Sequence, residues 1–183
     1  MAQSIVLKPF ILSWEGGFVN DPGDLGGATN KGVTLETFKE YRKKAGLPEP
    51  TVRDLKALTD AEWDNVYKRM FWDRWHADDI KDQSVANMLV DWLWASGNYG
   101  IRIPQSVLRV DVDGIVGPKT LAALNQQSPA LFFQRLRQER KNYIERICKS
   151  RPANKKYKNG WLRRVDSVRY GSLTLNGGKK VEF

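Results

Sequence analysis

The chain has 183 residues, 41% of them hydrophobic, with seven Trp, one Cys and one His. That excludes disorder as the main state, a disulfide framework and a Cys/His metal site, and it leaves His76 with no neighbouring partner for a nucleophilic triad. The net charge of +9 is uneven: residues 1–100 hold 12 Lys+Arg against 15 Asp+Glu (−3), residues 101–183 hold 18 against 6 (+12). The second half thus offers a positive surface to an anionic polymer, and nucleic acid, an anionic membrane and bacterial cell wall all qualify on charge alone.

Ile5, Leu7, Phe10, Ile11 and Trp14 recur at helical spacing, and Gly16-Gly17 end that helix. The N-terminus lacks a basic start and a small-residue cleavage site and carries Lys8-Pro9 within its apolar part, so it reads as a first helix and not a signal peptide. No apolar run reaches the roughly 20 residues a bilayer demands, which predicts no stable membrane insertion. Segment 16–34 is too rich in glycine for a helix and predicts a turn-rich loop or a small two- or three-stranded hairpin.

Residues 35–45 read as helix. Thr59 and Glu62 match a capping box ahead of an apolar face of Trp63, Val66, Tyr67, Met70 and Phe71. Residues 82–96 are apolar almost all round and predict the central buried helix. Turns at Asp113-Gly114 and Gly117-Pro118 precede a short helix, and Ser128-Pro129 open a long one reaching about residue 150. Trp161 to Val168 reads as a last short helix, and "GSLTLNGGKKVEF" as a frayed tail. The fold class is therefore mainly α with one small glycine-rich β-hairpin or loop after the first helix. A soft boundary near residue 99 separates residues 1–98, which carry Glu15 and the glycine-rich loop, from a basic helical segment, 99–183, packed into the same domain.

Glu15 stands where its helix ends, against the negative pole of the macrodipole, with Trp14 and Phe18 on either side. Dipole and desolvation both favour a protonated carboxyl, which is what general-acid chemistry on a glycosidic bond requires. Asp21, Asp24, Thr29 and Thr34 follow on the loop and can set a second carboxylate or a hydroxyl across a cleft from it. Spacing alone leaves open a plain solvated helix end and loop; a calcium loop is disfavoured because alternating acids and a terminal Glu are missing.

Asp91 lies inside an apolar helix, where it either pairs structurally or lines a cleft. Trp72, Trp75, Trp92 and Trp94 either fill the core or stack on sugar, with Trp72 the first choice for a sugar contact.

The run "EGGFVNDPGDLGGATNKGVT" resembles the signature of glycoside hydrolase family 108, the N-acetylmuramidases of phage endolysins and related bacterial proteins. The match runs through Glu15, Gly16, Gly17, Phe18, Asn20, Asp21, Pro22, Asp24, Gly26, Gly27, Thr29, Gly32, Val33 and Thr34. Glu15 and Asp24 also resemble the phage-lysozyme spacing, with Thr29 one residue early. "VDGIVGPKTLAALN" is similar to that family's peptidoglycan-binding segment, and "NGWLRRV" to its closing Gly-Trp-x-x-Arg element. "VDWLWASG" resembles its central helix, with Ala95 where an Asn is usual.

The resemblance implies a lysozyme-like fold cutting the β-1,4 bonds of peptidoglycan without cofactor or metal. Glu15, Asp24 and Thr29 would be catalytic, and Asn20, Asp21, Thr34, Trp72, Asp91 and Ser96 would bind substrate. It further implies a monomer whose partner is bacterial peptidoglycan and not nucleic acid, made in the cytoplasm and acting at the wall or periplasm after release. A non-catalytic wall-binding or secretion-accessory protein is the alternative.

Overall fold

A computed structural model describes residues 1–20 and 27–183. The first helix, α1 (Ser4–Trp14), buries Leu7, Phe10 and Ile11 and stops at Glu15, whose extended backbone (ψ 146°) ends the helical path. A two-residue hairpin follows: β1 (Thr29–Asn30) pairs antiparallel with β2 (Val33–Thr34) across a Lys31-Gly32 turn. Both turn residues have positive φ, 48° and 78°, the geometry that matches the right-handed twist of a tight hairpin and that glycine adopts freely. An isolated bridge from Val19 to Thr29 adds a third rung.

Thr34 then caps α2 (Leu35–Lys44) by accepting from the Thr37 amide at 3.1 Å. Capping boxes open both α3 (Val52–Lys56) and α4 (Asp60–Tyr67), the second through Thr59 and Glu62 as expected from the sequence. α4 runs on into a π-helical turn, Lys68–Trp72, and two short 3-10 turns at Asp73–Trp75 and Ala77–Asp79.

The central helix is α5 (Gln83–Ser96), buried continuously from Ser84 to Leu93. Around it lie α6 (Tyr99–Leu108), α7 (Pro118–Asn125), α8 (Pro129–Ser150) and α9 (Lys155–Ser167). No local signal marks α6, because Gly100 and Pro104 look like breakers. They are tolerated because α6 crosses α5 at backbone distance: a Cβ on Gly100 would sit 2.4 to 2.6 Å from Trp92 and Leu93 main-chain atoms. Gly100→Ala is expected to lower stability by about 2–3 kcal/mol, read from the denaturant midpoint at unchanged slope, because rigid helix backbone must move to admit the methyl.

The Asp113-Gly114 turn between α6 and α7 is locked by buried Gln105, which donates to Asp113 Oδ1 at 2.8 Å and accepts from the Gly114 amide at 2.8 Å. It serves as a structural turn.

The C-terminal residues do not fray. β3 (Val168–Arg169), β4 (Ser172–Thr174) and β5 (Lys180–Glu182) form an antiparallel sheet in the order β3-β4-β5. Val168 and Leu173 enter the core, the Tyr170 hydroxyl donates to Asp82 at 2.8 Å, and the Gly171 amide donates to Ser84 Oγ at 2.8 Å. A polar, glycine-rich composition hid two buried anchors. Among the described residues no helix is long and apolar enough to cross a membrane.

Candidate active site

Glu15 sits where three pieces of the fold meet: the end of α1, the hairpin turn, and the facing flank of α5 and α9. Its side chain is 17% exposed. Oε1 accepts from Trp94 Nε1 on α5 at 2.9 Å and from Arg164 Nη1 on α9 at 2.7 Å. The expectation of an acid standing among aromatics alone is therefore incomplete, since a guanidinium acts on it with the sign opposite to that of the helix dipole.

Arg164 is itself held. Its Nη2 and Nε donate to Asp91 Oδ1 at 2.7 and 3.1 Å, and Arg140 of α8 closes on Asp91 Oδ2 at 2.8 Å. Asp91 has no exposed side-chain surface and Arg140 only 3%. Burial pushes the Asp91 carboxyl up, but the charges of Arg164 and Arg140 and their hydrogen bonds outweigh it and hold it below the usual aspartate range. Burial likewise works against the charge on Arg164, yet Asp91 and Glu15 keep it firmly protonated. The four side chains form a chain of alternating sign, Arg140–Asp91–Arg164–Glu15, running from the core to the cleft.

The opposite wall is the hairpin. Asn30 Nδ2 donates to the carbonyls of Leu55 and Lys56 at 2.9 and 3.2 Å, and Trp63 Nε1 donates to the Lys31 carbonyl at 2.9 Å. So pinned, the turn brings Gly32 onto Glu15. A Cβ at Gly32 would lie 2.7 Å from Cδ and 2.8 Å from Oε2. Behind Glu15 the Trp94 ring is packed by Phe71 at 4.5 Å and Trp63 at 5.5 Å.

The sequence-derived candidates separate on this geometry. Thr29 lies half-buried in β1, one strand length from the Gly32 turn, and Asn20 is exposed beside the Val19 bridge. Asp21 and Asp24 lie outside the described residues.

Thr34 is engaged as the α2 cap, with its hydroxyl 3.0 Å from that of Thr37. Trp72 is fully buried, with Nε1 donating to Asp78 at 2.7 Å, and it offers no surface to a sugar; Trp75 and Trp92 are buried as well. Asp91, put forward as a substrate contact, is also without surface and is instead the anchor of Arg164. Ser96 lines a small pocket of about 50 Å³ behind Arg164, with Tyr143 and Trp161.

Sequence reading missed Trp94 as a partner of Glu15 and missed Arg140 altogether, and it marked Arg164 only as the Arg of the closing Gly-Trp-x-x-Arg element, with no role at Glu15. A signal for Arg140 existed. It occupies the buried stripe Phe133, Leu136, Arg140, Ile144, Cys148 of α8, where a cation needs a buried anion. Among the described residues no group of three His, Cys, Asp or Glu side chains is placed to hold a metal ion.

A mainly α, lysozyme-like fold that brings a half-buried glutamate against a glycine-rich hairpin defines the class. The chain matches the family model "Glycosyl hydrolase 108" over residues 8–97 and "Predicted Peptidoglycan domain" over residues 99–166. Among solved structures it is similar to the one titled "Structure of Brucella abortus SagA", with 31% identity over 88% of each chain and a TM-score of 0.74. No curated protein matches. The chain belongs to glycosyl hydrolase family 108, and its second family match ties it to peptidoglycan.

Proposed function

We propose that the protein is an N-acetylmuramidase that hydrolyses the β-1,4 bond after N-acetylmuramic acid in peptidoglycan, with Glu15 as general acid. The observation that carries this reading is the asymmetry of the Glu15 carboxyl. Among the described residues the donors to the carboxyl, Trp94 and Arg164, both reach Oε1, whereas Oε2 faces the hairpin. In this reading Oε2 is the oxygen that delivers the proton. The proton passes to the glycosidic oxygen as the bond to the anomeric carbon breaks, and water adds to the oxocarbenium-like centre, losing a proton to a carboxylate. The family motif supplies Asp24 as that second carboxylate, activating water or stabilising the positive charge.

Purified sacculi provide the test. Digestion should release fragments with N-acetylmuramic acid at their new reducing ends, identified by borohydride reduction and mass spectrometry. New ends on N-acetylglucosamine would overturn the bond assignment, and sedimentation with sacculi without any new reducing ends would favour the wall-binding alternative. The protein acts at the wall in this reading, after release from the cytoplasm where it is made.

The turn makes its own prediction. Gly32→Ala adds a methyl inside contact distance of Glu15 at a backbone φ of 78°, so carboxyl or turn must shift. Displacement of a reacting group by about 1 Å costs roughly a hundredfold, so sacculus turbidity should fall at about that reduced rate while the far-ultraviolet dichroism is retained.

A further inference from the structure

Between them α6 and α8 border an open groove of about 740 Å³. Arg102 and Arg109 come from α6 and its cap, Arg135 and Arg146 from the exposed stripe of α8, and the half-buried side chains of Ile103 and Val107 supply apolar lining. One acid, Glu139, shares the groove, and it is engaged by Asn142 Nδ2 at 3.2 Å. Among the described residues none of the four arginines has a carboxylate within ion-pair distance. Arg102 donates to the carbonyls of Val112 and Asp113, both at 3.3 Å.

Arg109 adds an independent observation. It ends α6 in the left-handed region (φ 58°, ψ 40°), where glycine is the unstrained residue and a side chain costs about 1 kcal/mol. A long cationic side chain at a glycine position, directed to a groove already bearing three others, is the pattern of strain kept for a ligand.

We infer that this groove binds the peptide stem of peptidoglycan through its carboxylates. This rests on peptidoglycan as the substrate. Guanidinium forks match carboxylates two bonds at a time, and alanine methyls of a stem fit the Ile103 and Val107 lining. The groove also adjoins the network that holds Glu15. Tyr99, on its wall, packs against Tyr143 with ring centroids 5.5 Å apart and planes tilted by 33°, and Tyr143 shares the small pocket lined by Arg164. Four residues along the chain separate Trp94, which donates to Glu15, from Tyr99.

The test uses the full chain with Glu15→Gln, so that binding is read apart from cleavage, and a free stem peptide, L-Ala-γ-D-Glu-diaminopimelate-D-Ala, titrated calorimetrically. Loss of two charge-assisted contacts in Arg135→Ala/Arg146→Ala should weaken binding at least about tenfold, and amidating the peptide carboxylates should do the same. Arg109→Gly should weaken binding severalfold with a Tm at or above that of the parent, which separates ligand contact from folding. On peptide-free glycan the same substitutions, made in the active chain, should leave the cleavage rate unchanged. Absence of peptide binding, equal binding of the amidated peptide, indifference to the arginine substitutions, or tighter binding of a glycerol-phosphate polymer would each overturn the assignment. None of these bears on whether Glu15 cleaves glycan.

Discussion

Glu15→Gln is expected to slow sacculus lysis by about a thousandfold while leaving the fold intact, a fall within the range that a positioned general acid contributes. Gln suits this test because its amide oxygen can still accept from Trp94 Nε1 and Arg164 Nη1, the two donors that reach Oε1. The substitution removes the ionisable group and little else. Arg164 keeps Asp91 as its main partner, through Nη2 at 2.7 Å and Nε at 3.1 Å, so the expected stability loss is about 1 kcal/mol or less. Glu15→Ala would confound matters by emptying a contact site and stripping both donors. Turbidity loss and reducing-end release should fall together, and Tm should move by only a few degrees. Lysis at the parental rate by the Gln variant would remove Glu15 from the chemistry.

Local rules made the skeleton of this fold legible, whereas the charge network at the site depended on contacts too distant in sequence to read. A capping box marked α4, all-round apolarity marked α5 and a first-turn proline after Ser128 marked α8, although Ser128 makes no side-chain cap, since each of these signals lies within its own helix or one turn of it. α6 was hidden because Gly100 answers to a backbone 2.4 Å from its missing Cβ, a fact about α5 and not about residues 99–108. The terminal sheet was hidden because Val168 and Leu173 find cover only on the body of the protein. In the site, Glu15 announced itself by its place at a helix end before Gly-Gly. Its partner Arg164 lies 149 residues away, and the Gly-Trp-x-x-Arg element that contains it says nothing of where its guanidinium reaches. The buried Asp91 did demand a cation, and Arg140 on an apolar stripe did demand an anion, but no local pattern says that the two demands meet.

Breaking that meeting point should cost more stability than any other single substitution at the site. Asp91→Asn leaves Arg140, 3% exposed, and Arg164, 12% exposed, with Glu15 as the remaining acid, so one positive charge is buried without compensation. The expected loss is about 3–5 kcal/mol, a large share of the roughly 5–15 kcal/mol typical of a domain. Because the Asp91 carboxyl is held below its ordinary range, its stabilisation is present above about pH 4 and drains away as pH falls through the folded value. Acid unfolding of the parent should therefore steepen below about pH 4, and that of the Asn variant should be flatter there. A second substitution separates charge balance from geometry. Arg140→Met in the Asp91→Asn background restores neutrality to the buried group, since Arg164 and Glu15 then pair alone, and most of the lost stability should return. Lysis should not return with it, because the Arg164 guanidinium still lacks the Asp91 carboxylate that fixed its fork and, through it, Glu15 Oε1. Recovery of both stability and rate would show that the network only balances charge, and that the aim of Glu15 is set by Trp94 and the Gly32 turn.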